Sequence, residues 1–174
     1  GGFWTAISAA VPKGGRLLMA RNCHRSVYHA AYLRDLELSY LYPETLPDIG
    51  LAGAVTPKQV EEGLAACPDA AAVLVVSPTY DGVTADICGI AKAVHKKPGC
   101  VLIVDAAHGA HFGFHPDFPE SPVRLGADLT VVSLHKTLPS MTQTALLLAR
   151  GNRVNPEKLR FFDDIYQTSS PSYV

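Results

Sequence analysis

The chain has 174 residues, 48% of them hydrophobic, with 15 Lys and Arg against 16 Asp and Glu. That near-neutral balance gives no electrostatic footprint for nucleic acid or an acidic membrane surface. No apolar run is long enough to span a bilayer, and no charged leader precedes a small-residue cleavage site.

A chain of this length can bury one sizeable core, so one domain is expected. The four cysteines, Cys23, Cys67, Cys88 and Cys100, include no Cys-x-x-Cys pair. They read as reduced, mostly buried thiols of a cytoplasmic protein rather than a zinc site or a disulfide framework. Gly1-Gly2 opens directly on a helical pattern, and Ser172-Tyr173-Val174 stops where another element is due. The chain is therefore expected to be an interior piece of a longer protein.

In chain order, Phe3 to Val11 is Ala-rich at helical spacing and is stopped by Pro12-Lys13-Gly14-Gly15. Arg16 to Ala20 reads as a buried strand, His24 to Arg34 as a helix, and Leu36 to Tyr42 as an alternating strand. Pro43, Pro47, Gly50 and Gly53 mark a loop through Thr56. Thr56-Pro57 supplies a cap and an N1 proline for a helix reaching Ala66.

Ala71 to Val76 is a continuous apolar strand ended by Ser77-Pro78, and Asp86 caps a helix through Ala93 that Pro98-Gly99 closes. Val101 to Val104 is the next strand, followed by a loop rich in Gly, His and Phe. Strand Leu129 to Val132, a turn containing Lys136, strand Thr144 to Ala149 and a helix from Pro156 complete the order. Strands without alternation, separated by helices, predict an α/β fold: a mostly parallel sheet with helices on both faces. The two strands flanking Lys136 lack a helical connection and are expected to be antiparallel neighbours.

Two strands end abruptly in reactive residues, Val104-Asp105-Ala106-Ala107-His108 and Ser133-Leu134-His135-Lys136-Thr137. In open α/β sheets ligands collect beyond the carboxyl ends of strands, which is where Asp105 falls. Alone, Asp105 reads as a cap or turn residue; with Lys136 placed likewise on the following strand, function is preferred. Lysine and carboxylate so placed are what pyridoxal 5'-phosphate (PLP) needs: an amine for a Schiff base, and an acid that keeps the pyridine nitrogen protonated. Desolvation and a cationic Schiff base both lower the pKa of such an amine.

His24 sits at a strand-to-helix junction. It is equally a helix-start histidine bonded to backbone and an imidazole stacked on a flat cofactor, with small Ala107 on the other face. His108, His111 and His115 with Asp105 also resemble a metal-ligand set, the mark of a metal-dependent hydrolase. Against that reading, His108-x-x-His111 lies in a Gly-rich loop, no Glu adjoins it as a base, and a metal leaves Lys136 without a task. Gly1-Gly2 ahead of a helix, Ser133 and His135 beside the lysine, and Thr168-Ser169-Ser170-Pro171 are each weak candidates for phosphate contacts.

Together these segments resemble the large domain of the Orn/Lys/Arg decarboxylase family, PLP enzymes of the aspartate aminotransferase fold. The resemblance rests on Arg21 to Ser26, Ser77-Pro78-Thr79-Tyr80-Asp81-Gly82, Val104 to Pro116, Ser133 to Thr144 and Thr168 to Tyr173, and covers essentially the whole chain. It implies that Lys136 is the Schiff-base lysine, that Asp105 partners the pyridine nitrogen, and that His24 and Ala107 flank the ring. It places Ser133 and His135 at the phosphate, Ser77 or Thr79 near the phenolic oxygen, and His108 among the cofactor-binding residues.

The implied reaction is decarboxylation of a basic amino acid through a Lys136 Schiff base, with His24 or His135 delivering the proton. The implied assembly is a homodimer or larger oligomer with shared sites, in which Thr168 and Ser169 serve a neighbour's phosphate. An aminotransferase or aldolase on the same fold, and a non-catalytic remnant of it, are the alternatives. The family pattern has Glu where this chain has Ala106. Its phosphate loop is expected just before Gly1 and its small domain beyond Val174.

Overall fold

The computed structural model describes residues 1–167. In chain order the elements are α1 (Gly2–Ala10), β1 (Arg16–Ala20), α2 (Arg25–Leu33), β2 (Glu37–Leu41), β3 (Thr45–Leu46), β4 (Leu51–Ala52), α3 (Pro57–Ala66) and β5 (Ala70–Val76). Then come α4 (Ile87–His95), β6 (Val101–Asp105), β7 (Leu129–Ser133), α5 (Leu134–Thr137), β8 (Ala145–Ala149) and α6 (Pro156–Tyr166).

Six strands form one sheet in the order β2-β1-β5-β6-β7-β8. The first five run parallel. β8 runs antiparallel to β7, with Ser133 opposite Ala145. The α/β class, the parallel sheet and the antiparallel pair around Lys136 are as the sequence predicts.

The central strands are apolar throughout because both of their faces are covered. Val101, Leu102, Ile103 and Val104 of β6 are all buried, as are Leu17 to Ala20 of β1 and Ala72 to Val75 of β5. α1, α2 and α6 pack together on one side, while α3 and α4 pack together on the other. That division follows from right-handed crossovers: β1 to β2 runs outward, whereas β2 to β5 and β5 to β6 run back.

The direction of travel therefore reverses between β1 and β5, which opens a crevice at the carboxyl edge of the sheet. Among the described residues, no helix is long and apolar enough to cross a membrane.

The local chemistry explains most boundaries. α3 starts in a full capping box, Thr56 accepting from the Gln59 backbone and the Gln59 side chain accepting from Thr56 N. Asp86 accepts from Gly89 N at the start of α4, and Asn155 caps α6 ahead of Pro156.

Two features depart from the sequence reading. The Pro43–Thr56 loop contains the β3–β4 hairpin, and the turn after β7 is one helical turn, α5. The 106–128 connection carries no regular helix, yet β6 and β7 are parallel.

At the opposite, amino-terminal end of β6 and β7, Asp128 is buried. Its Oδ2 accepts from Leu102 N at 2.7 Å and from His95 Nε2 at 3.0 Å. The four cysteines are all free thiols, Cys23 and Cys100 buried and Cys88 exposed.

Candidate active site

Because β1, β5, β6 and β7 are parallel neighbours, their carboxyl ends lie along one edge. The residues just past those ends are His24, Ser77 to Tyr80, Asp105 to His108, and Ser133 to Lys136. Asp105 lies opposite Val131 in the ladder, and Lys136 follows five residues after Val131, in α5 just past the end of β7.

Asp105 is only 4% exposed. Its backbone is held on both sides, Ser77 N donating to Asp105 O and Ala106 N donating to Val131 O. Its Oδ1 accepts from Ala107 N at 3.1 Å, and this is the one hydrogen bond to the carboxylate among the described residues. Burial pushes the Asp105 pKa up to about 6, against the opposing pull of the Ala107 amide and the Lys136 charge.

Ala107 is itself buried. Its amide anchors the acid, a role that the sequence did not suggest. Behind them, the buried Cys23 thiol is pushed well above its usual value by burial and then by the Asp105 charge.

Lys136 occupies the third position of α5 and is exposed, where the sequence reading has it desolvated. Its Nζ lies 3.1 Å from His108 Nε2. Partial burial and then the Lys136 charge hold His108 below the usual histidine range, so the ring is neutral near pH 7. Tyr80 presents an edge-on contact to His108, with ring centroids 5.4 Å apart.

His24 is the N-cap of α2, its Nδ1 accepting from Ser26 N at 3.2 Å. The backbone-bonded reading is thus realised, and the ring remains exposed at the edge. Partial burial, then Lys136, Arg25 and His29, lower its pKa.

The remaining candidates divide. Ser133 is half-buried and makes no capping bond, so its hydroxyl is available. His135 turns away from Asp105, its Nδ1 lying 3.1 Å from Thr144 O. Thr79 Oγ1 accepts from Val83 N and Ser77 Oγ from Ala85 N, which ties both to the local turn.

The three loop histidines do not converge. His111 packs edge-on between Phe112 and Phe118, and His115 pairs with Asp117. Among the described residues no three His, Cys, Asp or Glu side chains gather as a ligand set. Thr168 and Ser169 lie outside the described residues. The pairing of His108 with Lys136 had no signal in the sequence, because it joins side chains 28 positions apart.

Comparison with known proteins bears on the family and the fold. The family model described as "Orn/Lys/Arg decarboxylase, major domain" matches residues 1–174. An arginine decarboxylase of Halalkalibacterium halodurans is 34% identical across the whole chain, which covers 35% of that protein. The uncharacterized protein YaaO of Bacillus subtilis is 40% identical over 92% of the chain and 33% of its own length. The chain thus spans about a third of these relatives.

Among solved structures, an N-succinyldiaminopimelate aminotransferase of Mycobacterium tuberculosis superposes with a TM-score of 0.73. That match has 15% identity and covers 97% of this chain and 44% of that one. At that identity the match shows the fold alone, an α/β architecture shared with that aminotransferase.

Proposed function

Starting from the fact that the chain belongs to the Orn/Lys/Arg decarboxylase family, we propose that the protein containing it removes the α-carboxylate of lysine, ornithine or arginine. Carbon dioxide and the corresponding amine are the products. The observation that carries this reading is a buried acid, Asp105, without a cationic hydrogen-bond partner among the described residues, on the same sheet edge as the Lys136 amine.

The residues fit PLP. When bound, it supplies an aldehyde for a Schiff base with Lys136 and a pyridinium ring that takes up the electron pair of the broken bond. Asp105 would hold a proton on the ring nitrogen, and that cation would in turn keep Asp105 ionised. Ala107 fixes the acid's orientation through its amide. The His24 ring, pinned by Ser26, would cover one face of the cofactor and the small Ala107 side chain would leave room on the other. Among the described residues Ser133 makes no side-chain cap bond, which leaves its hydroxyl for the phosphate, and Gly2 at the start of α1 lies beside Val131.

The family match favours decarboxylation over the aminotransferase and aldolase alternatives. A shared-site dimer acting in the cytoplasm completes the proposal. The deciding experiment is carbon dioxide release by the intact protein supplied separately with lysine, ornithine and arginine. One of the three should be turned over, and a keto acid product in place of an amine and gas would overturn the reading. Lys136→Ala should abolish the visible absorbance of lysine-bound PLP, whereas Asp105→Ala should still bind PLP but lose turnover.

A further inference from the structure

We propose that His108 is a catalytic base for Lys136, accepting its ammonium proton so that the free amine can engage a carbonyl carbon. The geometry is specific. Lys136 Nζ stands 3.1 Å from His108 Nε2, and Lys136 carries only donors, so Nε2 is the acceptor and the ring's own proton sits on Nδ1.

The ring is held for this contact. Tyr80 meets it edge-on, and the 106–109 turn closes through Gly109 N to Ala106 O at 2.8 Å. Gly109 is wedged so tightly that a Cβ there would stand 2.8 Å from Pro78 Cδ and 3.1 Å from the Phe112 ring. His135, adjacent to Lys136 in sequence, faces the Thr144 carbonyl instead.

The step is balanced within the pair. One N–H bond breaks at Nζ and one forms at Nε2, the lone pair stays on Nζ, and the imidazole becomes a cation. Transfer from a lysine ammonium to an imidazole runs uphill, so the base speeds the amine's reaction without populating the imidazolium. The other titratable groups around the pair are Tyr80 from the loop after β5, Asp105 at the end of β6, His24 at the cap of α2 and His135 on α5. Partial burial and the Lys136 charge both keep His108 unprotonated and ready to accept.

The proposal rests on the PLP reading, and its test separates the two. The rate of PLP uptake by the intact apo-protein is followed by absorbance across pH, for wild type and for His108→Gln, which can accept a hydrogen bond but not a proton. Wild type should show a nearly flat rate across neutral and mildly alkaline pH. His108→Gln should be about tenfold or more slower near about pH 7 and regain the difference as pH approaches about 10. Matching profiles overturn the role of His108, while a wild type that takes up no PLP overturns the coenzyme reading and this proposal with it.

If His108→Gln takes up none at any pH, NMR titration of the His108 imidazole in apo Lys136→Met decides. An upward shift in that variant, from loss of the neighbouring cation, supports the contact. An unmoved titration overturns it.

Discussion

Asp105 bears a cost that the chain alone does not recover. Its pKa of about 6 lies above the 3.8 of an ordinary aspartate, so folding favours the protonated form. The stability it contributes is complete below the unfolded value and is lost as pH rises through about 6. The difference corresponds to about 3 kcal/mol by linkage. Asp105→Asn keeps an acceptor for the Ala107 amide and removes the charge. Thermal melting of the apo-protein should therefore show the variant more stable than wild type near about pH 8 and level with it near about pH 3.5; equal melting at both would sink the argument.

At this scale Asp105 and Lys136 were legible, because each ends an apolar run in a residue that a buried strand end does not otherwise need. The Ala107 amide and the His108 imidazole were not. Their roles depend on which atoms turn toward Asp105 and Lys136, and no spacing along the chain encodes that.

Among the elements, those with caps read most cleanly. Thr56, Pro57 and Gln59 announce α3 through local chemistry, and Thr56→Ala should cost about 1 kcal/mol in denaturant unfolding. The β3–β4 hairpin went unread because strands of two residues carry no periodicity, and α5 because four residues show no helical face. His24 reads from the sequence as the strand-to-helix junction, and its side chain makes it the cap.

Asp128 had no functional-looking context in the sequence. It joins β6 to α4 through Leu102 N and His95, with Arg153 Nε 3.9 Å from its other oxygen. Asp128→Ala would leave a buried Leu102 amide without its acceptor, a loss of about 2 to 3 kcal/mol. Urea unfolding measures it directly, and a loss below about 0.5 kcal/mol would show that the hub is dispensable.

For the whole molecule, β8 is the exposed feature of greatest consequence. Ala145 to Ala149 is entirely apolar, pairs among the described residues only with β7, and leaves Leu146 47% exposed. An unpaired apolar edge is a template for further strand pairing. The isolated 174-residue chain should therefore self-associate in size-exclusion chromatography, and Leu146→Lys should shift it toward monomer; a wild-type chain that runs as a monomer would contradict this. The same chain should bind PLP more weakly than the intact protein, measured by absorbance titration.

The sequence by itself determined the class of fold, the parallel run of strands, the antiparallel return after Lys136 and which strand ends carry reactive groups. These are properties of hydrophobic period and of residues a few positions apart, so short stretches of chain suffice to express them. Tertiary structure decided the partners: strand order set β6 beside β7, and that adjacency brought His108 to Lys136 and turned His135 away. Such pairings are made across the sheet edge between segments distant in sequence, where burial and the direction of each side chain, rather than local pattern, choose the contact.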